Sequence, residues 1–305
     1  MADAALHPIA TNPVQHLPVT VTDVQGTEVT ITDASRILAL DIYGTLSRTV
    51  YELGLGDQVV GRDTSSGFAE IKGKQLVTPV GHDLSAEAIL ALQPSVIITD
   101  TSLGPWDVLL QMRESGIPVV IVDSHRSLDN VGSLIQQVAD ALGVHAEGAQ
   151  LAERTNAAIE AKTAEIAAIA PAEHDRKLRT VFLYVRGQAG VYYMFGAGSG
   201  TDSLITALGA RDVATEIDWQ GMRPLNDEGV IKAAPDLLLM MTGGLESVGG
   251  VDGLLTSFPA LATTPAGQNR RIVDMADSDV LAFGPATADV LDALAVAIYA
   301  PDAAR

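Results

Sequence analysis

Few residues in this chain combine a reactive type with a telling spacing. Tyr184 ends the strand-like run Arg179-Thr180-Val181-Phe182-Leu183-Tyr184, and Arg186 follows two positions later. On an extended segment both side chains project to the same side, and a guanidinium near a phenol favours the phenolate through opposite charge. Phenolate is a hard anionic ligand suited to ferric iron, and tyrosine is one of the axial ligands that hold haem. His82, in the stretch Gly81-His82-Asp83-Leu84-Ser85-Ala86-Glu87, offers a nitrogen donor at the head of an apolar-patterned run. A plainer account stays open from these residues alone, with Tyr184 a cleft-lining or core tyrosine and His82 a turn histidine.

Composition removes several other chemistries. The chain has no cysteine, so disulfides, thiolate catalysis and Cys-based zinc sites are excluded. Its six histidines are dispersed and form no His/carboxylate cluster of the kind that holds a bare metal ion. Gly196-Ala197-Gly198-Ser199-Gly200 lacks the Lys-Ser/Thr ending of a phosphate loop and is read as an ordinary loop. Neither a nucleophile motif nor paired carboxylates at a recognisable spacing are present, which disfavours the competing class, a two-lobed metallocofactor enzyme. A formal net charge of -19 opposes binding to nucleic acid or an anionic membrane surface. No apolar run approaches the roughly 20 residues needed to cross a bilayer. The opening Met1-Ala2-Asp3-Ala4-Ala5-Leu6 lacks the basic start and apolar stretch of a signal peptide, which leaves a cytosolic protein or one whose signal has been cut away.

The elements that must position these residues come in two copies. Leu84-Ser85-Ala86-Glu87 and Leu225-Asn226-Asp227-Glu228 each open an apolar-patterned run that meets a proline seven residues after the glutamate, at Pro94 and Pro235. Each proline leads into a strand-like run, at 95–100 and 236–241. Arg36-Ile37-Leu38-Ala39-Leu40-Asp41 likewise aligns with the run ending at Tyr184, and Leu53-Gly54 with Leu208-Gly209. Strands and helices alternate, as in parallel α/β sheets. A hairpin is predicted over residues 19–32, a strand at 59–61, and helices at 86–92, 106–114, 201–208 and 287–299. Between the halves an Ala-, Leu- and Glu-rich stretch carries no strand signal; its second helix, at 146–169, would be about 36 Å long at about 1.5 Å per residue. The expected organisation is therefore a flexible arm over residues 1–17, an α/β lobe over 18–124, a helical linker over 125–170 and a second α/β lobe over 171–305, both lobes Rossmann-like. Ligands of open α/β sheets bind beyond the carboxyl ends of the strands. Two such lobes face to face make a cleft. Met241 would then end a strand at that cleft.

The chain after the arm resembles the substrate-binding proteins of the ABC importers for iron-siderophores, vitamin B12 and haem. The resemblance lies in Arg36-Ile37-Leu38-Ala39-Leu40, in Tyr51-Glu52-Leu53-Gly54 with Asp57 and Val60-Gly61, in the block from Leu84 to Pro94, and in the helical linker. Within that class it is most similar to the haem-uptake proteins of actinobacteria such as corynebacteria, which hold haem between a histidine of the first lobe and a tyrosine of the second, with an arginine two residues on. The resemblance implies haem b as the transported ligand, His82 and Tyr184 as axial ligands, Arg186 as support for the phenolate, and no enzymatic activity. Ferric siderophore or cobalamin is the alternative cargo of the same scaffold. Gram-negative haem-binding relatives carry a tyrosine near the Gly-x-x-x-Leu-Ser-Ala-Glu motif where this chain has Gly81-His82, which suggests ligation shared across the cleft. Arg223 stands at the repeat position of His82 and could meet a haem propionate; Trp219 and Tyr43 could stack on a planar ligand, and Met241 could touch the porphyrin or offer its sulfur. Glu87 and Glu228 match the two tip glutamates that pair with permease arginines in this class, although a first-turn carboxylate is also favoured by the helix dipole. The partners implied are a dimeric ABC permease with its ATPase, and the expected state is an extracytoplasmic, lipid-anchored monomer.

Overall fold

A computed structural model of the chain describes residues 5–301. Residues 1–4 of the expected arm and 302–305 of the expected second lobe lie outside them. Among the described residues no helix is long and apolar enough to cross a membrane.

In the first half, the mainly apolar runs Ile37–Leu40, Val96–Thr99 and Val119–Ile121 pair side by side in parallel, Ile37 opposite Val96 and Ile97 opposite Val119. Strands so uniformly apolar must be covered on both faces. Leu38, Leu40, Ile97, Val119 and Ile121 pack outward against Ile89 and Leu109 of the helices Ala86–Ala91 and Trp106–Glu114. The alternate residues Ile37, Ala39, Ile98 and Val120 face a second core that runs on into the rest of the molecule. The strand expected at residues 59–61 is reduced to Gly61–Arg62, paired with Gln75–Leu76, because a tight helical turn at Gly56–Gln58 occupies the approach and leaves Val59 a single bridge to Ile37.

The second half is built around Arg179–Arg186. Leu237–Met241 lies parallel to it, and Ile272–Met275 lies parallel beyond that. On the other side the sheet departs from the parallel expectation: Val191–Phe195 returns antiparallel, with Tyr184 opposite Tyr193. The connection at Gly187–Ala189 is a single turn, and a parallel crossover needs a dozen or more residues, so the chain can only fold back as a hairpin. Met222–Pro224 closes this edge, where a proline without an N–H is tolerated.

The sequence repeat is reproduced bond for bond at the strand entrances. Arg36 donates its amide to the Ser95 hydroxyl at 3.0 Å and accepts the Ser95 amide at 2.9 Å; Arg179 donates to the Asp236 carboxylate at 3.1 Å and accepts the Asp236 amide at 2.6 Å. Both guanidinium groups then bind the last carbonyls of the preceding helix, those of Leu92 and Gln93 for Arg36 and of Ala233 and Ala234 for Arg179. Gln93 and Ala234, each just before its proline, share the same left-handed backbone, with φ of 45° and 40°.

Between the halves, helix Val131–Ala141 stops before Gly143, which has φ 70°, and the 25-residue helix His145–Ile169 follows, about 37 Å long at about 1.5 Å per residue. Its residues Leu151, Ile159 and Ile166 join one continuous core with Ile37 and Ile98 of the first sheet and Phe182, Leu237 and Leu239 of the second. A core shared in this way ties both sheets to one strut. Residues 5–17, expected as an arm, run along the first half and the linker: the His7 amide donates to the Glu52 carboxylate at 3.1 Å, and the His16 amide to the Gly143 carbonyl at 2.8 Å. The hairpin Val19–Thr22 and Glu28–Ile31 forms its own two-stranded sheet, joined to the first sheet where the Val24 amide meets the Ile121 carbonyl.

Candidate functional site: a cleft at the strand ends

A cavity of about 830 Å³ opens at the carboxyl ends of both sheets, the position that open α/β architectures reserve for ligands and a size typical of ligand pockets. Tyr43 and His82 line it from the first half; Tyr184, Arg186 and Met241 line it from the second.

Strand alternation places Tyr184. Val181, Leu183 and Val185 turn to the outer core of the second half, so Phe182, Tyr184 and Arg186 share the opposite face. The Tyr184 ring stacks on Phe195 at 6.2 Å between centroids, and Phe195 leans on Phe182 at 5.2 Å. The ring is thus held by an apolar wall, while its hydroxyl has no hydrogen-bond partner among the described residues. Arg186 takes a different position from the one its spacing suggests. Its guanidinium carbon stands over the ring, 4.5 Å from the centroid, in a cation–π contact. Asp277 at 2.6 Å and the Met241 sulfur at 3.6 Å hold it there.

His82 sits on the opposite rim, in a turn between Val80 and Asp83. Its pKa is lowered, first by the surrounding protein and then by the charge of Arg186, with Asp83 opposing. Neutral imidazole, the form with a lone pair to give, is favoured, and the Arg186 effect brings the two halves of the cleft within electrostatic reach. Met241 is buried at the end of its strand with its sulfur directed at Arg186, whereas Met240 faces the outer core. Tyr43 covers Arg126, with 4.8 Å between guanidinium carbon and ring centroid, and burial raises its pKa despite that arginine.

Two expected residues are not among those lining the cavity. The Trp219 indole N–H donates to the Met194 carbonyl at 2.8 Å, and the ring fills the space beside Gly229, where a Cβ would come within 2.7 Å of it. It is partly buried and packs against the second-half core. Arg223 is exposed on the edge strand, and the alternation of that strand turns its neighbour Met222 to the cavity instead.

Other lining residues escaped the sequence reading: His125, Arg126, Met222 and Asp277. A signal for Arg126 was present, because each parallel strand run of the first half ends in aspartate, at Asp41, Asp100 and Asp123. Arg126 gathers them, donating to the Asp41 carboxylate at 3.1 Å, to that of Asp100 at 2.7 Å and to the Asp123 carbonyl at 2.7 Å, with its side chain 1% exposed. Asp41 also accepts the Thr45 and Leu46 amides at the start of helix Thr45–Glu52. Asp63, fully buried beside it, accepts the Asp41 and Ser66 amides, and burial together with the Asp41 charge pushes its pKa up to about 7.

Away from the cleft, Glu87 and Glu228 are both exposed at the second position of their helices, Ala86–Ala91 and Asp227–Ala233. Ser85 and Asn226 cap those helices by accepting the Ala88 and Gly229 amides. One turn on, Leu90 and Ile231 are exposed as well.

A model of the periplasmic binding protein family matches residues 42–278. Among solved structures, the haem-binding protein HmuT is 40% identical with a TM-score of 0.91, over 96% of this chain and 94% of that one. The periplasmic haem-binding protein RhuT from Roseiflexus sp. RS-1, in apo form, is 38% identical with a TM-score of 0.79, over 90% of this chain and all of that one. An uncharacterized ABC transporter substrate-binding lipoprotein of Bacillus subtilis (strain 168), YvrC, is 25% identical over 290 residues, 93% of this chain and 86% of the relative.

Proposed function

Because the chain belongs to the periplasmic binding protein family, we propose that it captures ferric haem outside the cytoplasm and delivers it to the permease of an ABC importer. The observation that carries this is the Tyr184 hydroxyl: unpartnered among the described residues, on an aromatic wall, in a cavity whose opposite rim bears a histidine biased to its neutral form. The haem-binding function named for two close structural relatives supports it. His82 and Tyr184 are the axial ligands, Arg186 supports the phenolate electrostatically, and Tyr43 and Met241 contribute to the walls. Trp219 and Arg223 have no part in the contact. The protein binds and releases its cargo without turnover. Its lobes span 18–124 and 171–305 with 125–170 as strut, and it acts as a monomer, lipid-anchored at the outer face of the membrane. Glu87 and Glu228 dock on the two halves of the permease dimer that works with its ATPase; the matched exposure of Leu90 and Ile231 beside them supports a partner that meets both lobes alike.

Titration of the purified protein with hemin tests the cargo. A defined Soret band that saturates at a fixed stoichiometry is expected. A spectrum that stays that of free hemin rejects haem, and ferric siderophore or cobalamin is then the cargo to assay.

A further inference from the structure

With Arg223 turned away from the cavity, a cargo that carries carboxylates needs another donor. The basic side chains lining the cavity are His82, His125, Arg126 and Arg186. Arg126 is committed to Asp41 and Asp100, Arg186 is paired with Asp277, and His82 has its proposed place at the iron. His125 is different. It is exposed at the first-half rim, and its imidazole has no hydrogen-bond or ion-pair partner among the described residues. The hydroxyl of Ser124, exposed beside it on the same cavity, has none either.

The backbone beneath these two side chains is fixed on every side. The His125 amide donates to Asp123 Oδ1 at 2.8 Å, and its carbonyl accepts from Asn130 Nδ2 at 2.5 Å. Arg126, sealed on its two aspartates, donates to the Asp123 carbonyl at 2.7 Å. The second half closes on the same loop: a Cβ on Gly200 would lie 2.3 Å from the Arg126 carbonyl, and the Leu128 amide donates to the Ser203 hydroxyl at 3.2 Å. Two unbonded donors on a clamped loop can bind a ligand with little ordering cost. The walls around them also differ in polarity. The second half lines the cavity with side chains such as Phe195, Met241 and Leu281, whereas the 124–125 rim offers only a hydroxyl and an imidazole. Among the described lining residues the only carboxylate is Asp277, which is occupied by Arg186.

We infer that Ser124 and His125 form a carboxylate subsite, which takes a propionate of the cargo while the macrocycle lies between His82 and Tyr184. The inference rests on the haem reading given above. Imidazole has an N–H to donate in either protonation state, and a hydroxyl donates as well. Hydrogen bonds from such groups to a carboxylate are of the strong, charge-assisted kind. Exposure of the rim lets the carboxylate keep part of its water, so its desolvation costs little.

Hemin and its dimethyl ester, which differ in whether the carboxylates are free, test the subsite. The unmodified protein should bind hemin about 10-fold more tightly than the ester, as one hydrogen bond to a charged group would give. His125→Ala should weaken hemin binding by about that factor, leave the ester's affinity unchanged and keep the position of the Soret band, since neither axial ligand is touched. Ser124→Ala should act in the same direction to a smaller extent, and His125→Gln, which retains an N–H donor, should restore part of the preference for hemin. Equal affinity of the unmodified protein for hemin and ester overturns the inference and leaves haem binding intact. An equal loss for both ligands in His125→Ala also overturns it, and a displaced Soret band would make His125 an iron ligand instead. A spectrum that hemin does not change refutes the haem reading, and the subsite falls with it.

Discussion

At the carboxyl ends of its strands the first lobe turns its charges inward, and the second turns them to the cleft. Asp41 and Asp100 of the first lobe are fully buried on Arg126, whose loop they lock under Tyr43, and the equally buried Asp63 accepts the Asp41 amide. At the same topological point of the second lobe, Arg186 and Asp277 remain partly open beside a phenol whose hydroxyl has no partner among the described residues. The strand entrances, by contrast, are alike down to single hydrogen bonds. The two halves thus share the bonds that build each sheet and differ at the sheet ends, one sealed and the other open to the cavity. The difference teaches that a charge sealed at a strand end is committed to the fold, whereas one left partly exposed at a cavity is available to a ligand.

The comparison breaks first at Arg126. Arg126→Met strands two buried carboxylates, and loss of one partner from a buried charge cluster costs about 3–5 kcal/mol; chemical denaturation should show a fall of that order. A loss under about 1 kcal/mol would mean the floor is not held by charge. Tyr184→Phe probes the other side. Hemin affinity should drop at least about 10-fold, as for disruption of a metal's ligand shell, and the phenolate-dependent bands should vanish. Apo stability should stay within about 0.5 kcal/mol, because the hydroxyl has no partner to lose among the described residues. Unfolding of this variant with an unchanged spectrum would make Tyr184 a core residue.

A third experiment uses the feature in which the lobes agree. Glu87→Ala combined with Glu228→Ala should leave hemin binding intact and abolish haem uptake by cells, whereas retained uptake would remove the docking role. A pH-dependent effect is expected at Asp63. Its pKa is raised from 3.8 to about 7 in the folded protein, so the stability it contributes by holding its proton is full below about pH 4 and is lost as pH rises towards about 7. Asp63→Asn has no proton to release and should flatten the dependence of melting temperature on pH across that window. The same slope in the variant would place the titrating group elsewhere.

Much of this was legible in one dimension. The repeat of Leu84-Ser85-Ala86-Glu87 at Leu225-Asn226-Asp227-Glu228 marked two lobes, and helices such as Thr287–Tyr299 and Trp106–Glu114 coincide with their sequence signals. His82, Tyr184, Arg186, Tyr43 and Met241 do line one cavity. Two expected residues do not line that cavity, for nameable reasons. The Trp219 ring suggests stacking, but its N–H needs an acceptor and finds one in the Met194 carbonyl, which holds the ring against the second-half core. Arg223 was matched to His82 through the repeat, but it lies on an edge strand whose alternation turns Met222 to the cavity. Arg126 and Asp277 were missed because each works through partners distant in the chain, Asp41 and Asp100 for one and Arg186 for the other.

By itself the sequence determined the local bonds and periods: which runs become strands, where Gly143 ends a helix, that Tyr184 and Arg186 share a face. Such properties depend on neighbours within a turn or a strand, and sequence spacing is a faithful measure of those distances. Only the tertiary structure decided what each charge does, because that depends on which distant partner reaches it and whether water is shut out. Arg186 shows the division. Its spacing put a guanidinium near a phenol, and the fold, by bringing Asp277 to it, set that guanidinium over the ring face.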